Sequence, residues 1–254
     1  MIDKPLQDGL EFYILTPRLT TIGYNMLYLK TILQLLFYIL STNTLKAATL
    51  PPGFVCLSDV VPTIVLDIRY AKSENFIGMP IEGYINPIAI TTKEAAIALN
   101  NAQTDLRRFE LSLKVFDAYR PQRAVDHFAR WAKDLSDIRK QSEYYPKIAK
   151  EDLFREDYIA LKSGHSRGST LDVTLVSFDA KGLVQELDMG TPFDFFDPRS
   201  WPEYPKLSVT QRANRMLLQT VMEKHGFKPY PKEWWHFTLK QEPYPKTYFN
   251  FNVE

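Results

Sequence analysis

From about residue 90 onward, apolar and polar positions alternate with two different periods, and the changes of period mark the elements. Thr91-Thr92-Lys93-Glu94 resembles a capping box ahead of Ala95-Ala96-Ile97-Ala98-Leu99, which predicts a helix running towards Leu106. Leu113, Val115 and the residues to Tyr119 read as a short strand, and Pro121 suits the first turn of a second helix through Trp131. Arg120 thus falls at a strand-to-helix junction. The polar stretch 136–157, with Tyr144-Tyr145-Pro146, predicts a surface excursion with a turn of helix near Asp152. Residues 170–176 are β-branched and aliphatic, a strand that carries Asp172. Ala213, Met216, Leu217, Thr220 and Val221 give residues 210–225 one apolar helical face, which Gly226 closes as a C-cap. The last strand is 235–239. Helices and strands mixed without regular βαβ alternation predict an α+β domain, its mainly antiparallel central sheet flanked by helices.

Ahead of these elements the pattern changes. Residues 31–40 form an apolar run preceded by Lys30, too short for the roughly 20 residues that cross a bilayer. A run of this length followed by small residues, here Ala47-Ala48, suits the apolar region of a secretory signal. About thirty residues precede the run, a long head for a signal, and translation from Met26 would restore ordinary proportions with Lys30 as the positive region. Residues 1–50 are therefore read as a leader, with export to the periplasm as its consequence and no stable membrane insertion of the mature domain. The alternative is a buried or interfacial helix on a chain that stays cytoplasmic. Pro51-Pro52-Gly53 interrupts any helix and marks the start of one folded domain, 51–254.

Composition narrows the partners. The 254 residues are 45% hydrophobic and 24% charged, enough apolar material for an ordinary core. The formal charge is only +1, so no cationic excess points to nucleic acid, and a small molecule is the expected partner. Cys56 is the only cysteine, which rules out an intrachain disulfide and a thiolate-rich metal site.

The chemistry concentrates in two segments, Ser163-Gly164-His165-Ser166-Arg167-Gly168-Ser169-Thr170-Leu171-Asp172 and Glu233-Trp234-Trp235-His236. A catalytic zinc ion commonly takes three ligands from His, Asp or Glu and leaves a fourth position open for water, and His165, Asp172 and His236 could supply the three. Glu233 would then handle the water's proton. In a regular strand residues i and i+3 face opposite sides, so a bend or bulge near Trp234 is required to turn Glu233 and His236 to one site. No His-Glu-x-x-His helix occurs, which excludes the helical zinc-protease arrangement. A fixed guanidinium beside the developing oxyanion would complete the site, and Arg120 is the candidate. Each residue has a structural alternative: a core histidine for His165 or His236, and an ion pair with Asp117 for Arg120. His127 and His225 read as helix-face and helix-end residues, and Trp234 and Trp235 as pocket walls.

Leu66-Asp67-Ile68-Arg69-Tyr70-Ala71, Asn75-Phe76-x-Gly78, Asp117-x-Tyr119-Arg120-Pro121, Gly190-x-x-Phe193-Asp194 and the two segments above resemble, in order and spacing, the D-alanyl-D-alanine dipeptidases of the vancomycin-resistance type. The resemblance runs from about residue 58 to the end. It implies the zinc fold shared with D,D-carboxypeptidases and the Hedgehog signalling domain. It also implies one Zn2+ held by His165, Asp172 and His236, Glu233 as general base and acid, and Arg120 stabilising the transition state. Tyr70 and Asp194 match positions that help to bind the substrate's ammonium, and Ser163 is grouped with them as substrate-binding. Their alternatives are a strand aromatic for Tyr70 and a turn carboxylate for Asp194. The expected activity is hydrolysis of D-Ala-D-Ala or a related D,D-dipeptide, in cell-wall peptide turnover or glycopeptide resistance. The alternatives are a D,D-carboxypeptidase acting on peptidoglycan stem peptides and an idle zinc-binding module.

Overall fold

The chain turns at Pro51-Pro52-Gly53, where Gly53 takes φ 85° and the Phe54 N–H closes onto the Pro51 carbonyl at 3.1 Å. The computed structural model describes residues 50–254, so the leader, its apolar run, Met26 and Ala47-Ala48 lie outside the described residues. Strand β1 (Phe54–Cys56) pairs antiparallel with β3 (Ile90–Thr92), and the short helix α1 (Leu57–Val60) and strand β2 (Val65–Leu66) lie between them in sequence. Helix α2 (Lys93–Arg107) follows, then β4 (Leu111–Asp117), α3 (Gln122–Lys133), α4 (Gln141–Tyr144), β5 (Thr170–Phe178) and β6 (Val184–Glu186). Helix α5 (Val209–Lys224) and the hairpin β7 (Phe227–Tyr230) and β8 (Glu233–Leu239) complete the order, giving a mixed α+β fold. The larger sheet runs β2-β4-β5-β8-β7 with β6 added beside β5. The β2–β4 pair is parallel, while β4–β5, β5–β6, β5–β8 and β7–β8 are antiparallel. Among the described residues, no helix is long and apolar enough to cross a membrane.

β5 is buried from Thr170 to Val176, as a β-branched and aliphatic run interrupted only by Asp172 requires of a strand covered on both faces. Its register positions the chemistry. Asp172 pairs with Asp117 of β4 on one side and with His236 of β8 on the other. Three strands thus bring titratable side chains to one row of the sheet.

Three expectations are corrected. Thr92, not Thr91, caps α2, accepting from the Ala95 N–H at 3.4 Å, because the Thr91 hydroxyl donates to the Gly168 carbonyl at 2.8 Å. The buried face of α5 is Arg215, Leu218, Val221 and Met222, whereas Met216 is 62% exposed. A buried arginine shifts the phase that apolar residues alone predicted. The stretch 136–157 is not simply a surface excursion. Tyr144, Tyr145 and Leu153 are buried, and the Lys150 ammonium lies 3.9 Å from the centre of the Trp131 ring while donating to the Asp134 and Asp137 carbonyls. Polar composition hid these anchors because the lysine satisfies loop carbonyls rather than facing water.

Candidate active site

At the row where β4, β5 and β8 meet, candidate ligand atoms of His165, Asp172 and His236 lie within 4.8 Å of one another. His165 comes from a 3-10 turn, Gly164–Arg167, which ends on Gly168 at φ 87° before β5 begins. A side chain at residue 168 would collide with the Phe54 ring, 2.3 Å from the position of its Cβ, so both φ and packing require glycine there. His165 Nδ1 lies 2.7 Å from the Ala118 carbonyl oxygen. Only an N–H can satisfy that contact, so Nδ1 carries a proton and Nε2 is the ring atom turned towards Asp172 and His236. His165 Nε2 is 3.3 Å from Asp172 Oδ2, and His236 Nδ1 is 3.2 Å from Asp172 Oδ1. Burial disfavours ionisation of Asp172, yet the two facing imidazoles hold its carboxyl below the ordinary range.

Asp172 Oδ1 is buried and receives no hydrogen bond of acceptable geometry despite its nearness to His236. An orphaned oxygen on a carboxylate set between two imidazoles is a poor end state for a core and a suitable one for a cation. With His165 anchored through Nδ1 and two nitrogens and a carboxylate converging, the donor set fits a metal ion.

The bulge expected near Trp234 is present. Pro229 of β7 pairs with Phe237 and the next residue, Tyr230, pairs with Glu233, so three residues of β8 are accommodated in a single step. Glu233 and Trp235 therefore line the same cavity as His236, while the Trp234 indole points elsewhere and donates to Thr191 Oγ1 at 2.9 Å. Glu233 itself pairs with Tyr230 at the start of β8, and Trp235 alone of the two tryptophans is a wall. Glu233 Oε2 stands 3.5 Å from His236 Nδ1. Burial, reinforced by Asp172 and opposed by His236 and Arg120, pushes the Glu233 carboxyl up to about 7.

Arg120 occupies the junction where β4 gives way to α3. Its Nε and Nη2 both contact Asp117 Oδ2 at 2.9 Å, Nη2 reaches Asp172 Oδ2 at 3.5 Å, and the guanidinium lies against the Tyr70 and Phe128 rings. The ion pair with Asp117 and a place on the cavity wall are thus the same geometry. Tyr70 sits in a 3-10 turn, Arg69–Ala71, not in a strand, and its hydroxyl lies 3.0 and 3.2 Å from the two Asp194 oxygens. Asp194 is buried in the left-handed region at φ 59°, a conformation that Asp tolerates better than most residues but that still carries strain. Burial first, then the negative Asp172 and Glu233, raise its carboxyl well above the ordinary value. Ser163 lines the cavity, and its Oγ accepts from the His165 N–H at 3.2 Å, which leaves the hydroxyl proton free to donate.

These groups enclose a cavity of about 220 Å³. Three largely buried carboxyl groups, Asp172, Asp194 and Glu233, line it, with Asp117 behind the Arg120 guanidinium that stands among them. A cationic guest would favour the ionised forms of Asp194 and Glu233, whose carboxyls burial pushes up. Among the residues that sequence reasoning missed is Tyr84, whose hydroxyl donates to Asp117 at 2.6 Å. Tyr158 and Tyr230, which line the cavity, were missed as well. All three reach the site through tertiary packing and carry no local motif.

The model of the D-ala-D-ala dipeptidase family matches residues 51–254. The chain belongs to this family. It is similar to the D-alanyl-D-alanine dipeptidase of Enterococcus faecalis, with 42% identity over 201 residues that cover 79% of this chain and 98% of the relative. It is 39% identical to that of Streptomyces coelicolor, over 79% of this chain and 98% of the relative. The Escherichia coli D-alanyl-D-alanine dipeptidase is 30% identical over 74% and 84% of the two chains. The family match begins within Pro51-Pro52-Gly53, where the turn opens the described fold, and the dipeptidase family is one of peptidases, hence of enzymes.

Proposed function

We propose that this chain is a zinc dipeptidase that hydrolyses D-Ala-D-Ala or a closely related D,D-dipeptide to free amino acids. The observation that carries the reading is the small cavity in which the buried carboxyl groups of Asp194 and Glu233 meet the triad of His165, Asp172 and His236. At about 220 Å³ it falls below the roughly 300–1,000 Å³ of sites for drug-sized ligands. Asp194, buried beside the Tyr70 hydroxyl, offers a partner to a substrate that brings a free ammonium. His165, Asp172 and His236 would hold one zinc ion, which when bound supplies Lewis-acid activation of water and of the scissile carbonyl.

The protein's own groups do the rest. Glu233 takes the proton of the attacking water and returns it to the leaving amine, a shuttle suited to a carboxyl that titrates near neutrality. Arg120, oriented by Asp117 and stacked on Tyr70, meets the charge that develops on the carbonyl oxygen. Asp194 and the Tyr70 hydroxyl receive the substrate ammonium, whose charge favours the ionised form of Asp194. The Ser163 hydroxyl donates to a substrate acceptor.

Incubated with zinc and D-Ala-D-Ala, the protein is expected to release D-alanine. N-acetylation of the dipeptide is expected to lower kcat/KM by about 10²-fold or more, because a buried carboxylate then faces a neutral amide. Equal or better cleavage of the acylated peptide would favour a D,D-carboxypeptidase, and zinc binding without release of D-alanine would leave an idle zinc module. Arg120→Lys is expected to lower kcat by about 10²- to 10³-fold with KM little changed, because lysine cannot reproduce the fork held by Asp117. An unchanged kcat in the folded variant would remove Arg120 from the mechanism.

The fold reading extends to the antiparallel-sheet zinc architecture of D,D-carboxypeptidases and the Hedgehog domain, and the domain reading to 51–254 as one catalytic unit. Residues 1–50, read as an export leader, give the enzyme cell-wall dipeptides as its substrate pool in peptide turnover, and retention in the cytoplasm would instead suit glycopeptide resistance. Fractionation of cells expressing the full chain decides the location.

A further inference from the structure

Arg215, on the buried face of α5, spends its guanidinium on backbone. Nε donates to the Met189 carbonyl at 2.7 Å, Nη1 to the Trp201 carbonyl at 2.7 Å and Nη2 to the Arg199 carbonyl at 2.9 Å. The residue is 4% exposed, and no carboxylate forms an ion pair with it among the described residues. An unpaired buried cation is an expensive way to fill a helix face, and an apolar side chain would do so at lower cost. What the arginine does that an apolar residue cannot is hold the two ends of one loop, residues 189–201, in a single planar fork. Asp194 lies inside that loop in its left-handed conformation.

The loop is drawn against α5 and closed on itself by further contacts. Asn214 donates to the Asp188 carbonyl, and the Ser200 hydroxyl donates to the Phe195 carbonyl. A Cβ at Gly190 would lie 3.0 Å from Leu207, so the entry to the loop fits closely against the segment leading into α5. Arg215 itself does not line the cavity. We propose that Arg215 is a positioning residue: by clasping both ends of the 189–201 loop it holds the strained Asp194 against Tyr70, and so sets recognition of the substrate's ammonium. This rests on the reading of Asp194 as the ammonium site.

The test uses the zinc-loaded full chain with D-Ala-D-Ala and its N-acetylated form, comparing Asp194→Asn, Arg215→Lys, Arg215→Met and the double variant Asp194→Asn with Arg215→Met. Arg215→Met is expected to raise KM for the free dipeptide about 10- to 100-fold, the range typical of residues that orient a ligand from behind. It should do so with a much smaller change in kcat, and should narrow the preference for the free over the acylated dipeptide. Arg215→Lys should recover part of the loss. The double variant should be no worse than Asp194→Asn alone, since Arg215 acts through Asp194. Equal losses on both substrates, or losses that multiply in the double variant, would reduce Arg215 to a structural role and overturn the proposal. If Arg215→Met does not fold, the same comparison with Arg215→Lys decides. Asp194→Asn with its preference intact would overturn the ammonium reading and this one with it, whereas preference lost in Asp194→Asn but kept in the Arg215 variants would overturn this one alone.

Discussion

Glu233→Gln is expected to lower kcat for D-Ala-D-Ala by about 10²- to 10⁴-fold, the usual worth of a positioned general acid–base group, while zinc content and the circular dichroism spectrum stay unchanged. The substitution keeps the shape of the side chain and removes only its ability to carry a proton. Glu233 enters the cavity through the bulge in β8, 3.5 Å from His236 Nδ1, so it stands beside the triad without belonging to it. Its carboxyl is pushed up to about 7, chiefly by burial, which places it where it can both accept a proton and give it back near neutral pH. The sign follows directly: the ionised form accepts the proton, so in the wild type kcat/KM falls as pH drops through the Glu233 pKa, and in Glu233→Gln that limb should be lost from the residual rate. Single-turnover rates across pH with metal analysis of the same samples make the check. A rate within a few fold of wild type would take Glu233 out of the chemistry.

The candidate site was legible wherever its logic is local. His165 and Asp172 stand either side of a glycine turn that leads into a β-branched run, and the period of two along β8 was enough to require a bulge if Glu233 and His236 are to share a cavity. Register was not legible. Nothing in the sequence states that Asp117, Asp172 and His236 fall in one row across three strands, because pairing partners are chosen by the whole sheet. Tyr84 illustrates the limit from another side, since its bond to Asp117 depends on a loop whose backbone pairs near Val253 at the far end of the chain. The misphased α5 has a single cause. Arg215 counted as a surface residue by type, and its burial against three carbonyls rotates the expected apolar face. Buried charge defeats patterns built on hydrophobicity, and in this chain it does so beside the site.

Stripping the metal is expected to have the largest effect of all: release of D-alanine should fall to background after dialysis against a chelator and return when one equivalent of Zn2+ per chain is added. The expectation comes from what His165, Asp172 and His236 lack as they stand. Asp172 Oδ1 is buried without a hydrogen bond, and His165 Nε2, turned inward by the Nδ1 bond to the Ala118 carbonyl, faces two other acceptor-bearing side chains. A row of buried acceptors repels itself unless a cation or a proton enters. Burial lowers the His236 pKa, but Asp172 and Glu233 outweigh it and raise the pKa, so a proton competes with a cation for this nitrogen. Metal binding therefore displaces a proton as well as satisfying the carboxylate, and affinity should fall as pH drops. Because the three candidate ligands come from the turn before β5, from β5 itself and from β8, a bound ion would also join segments distant in sequence. At free metal about 1,000 times its Kd the linkage amounts to about 4 kcal/mol of added stability, so thermal unfolding should shift upward with added Zn2+ and the shift should vanish in His236→Ala. Full activity in protein stripped of bound metal, or a Tm indifferent to Zn2+, would exclude the triad as a metal site while leaving family membership untouched.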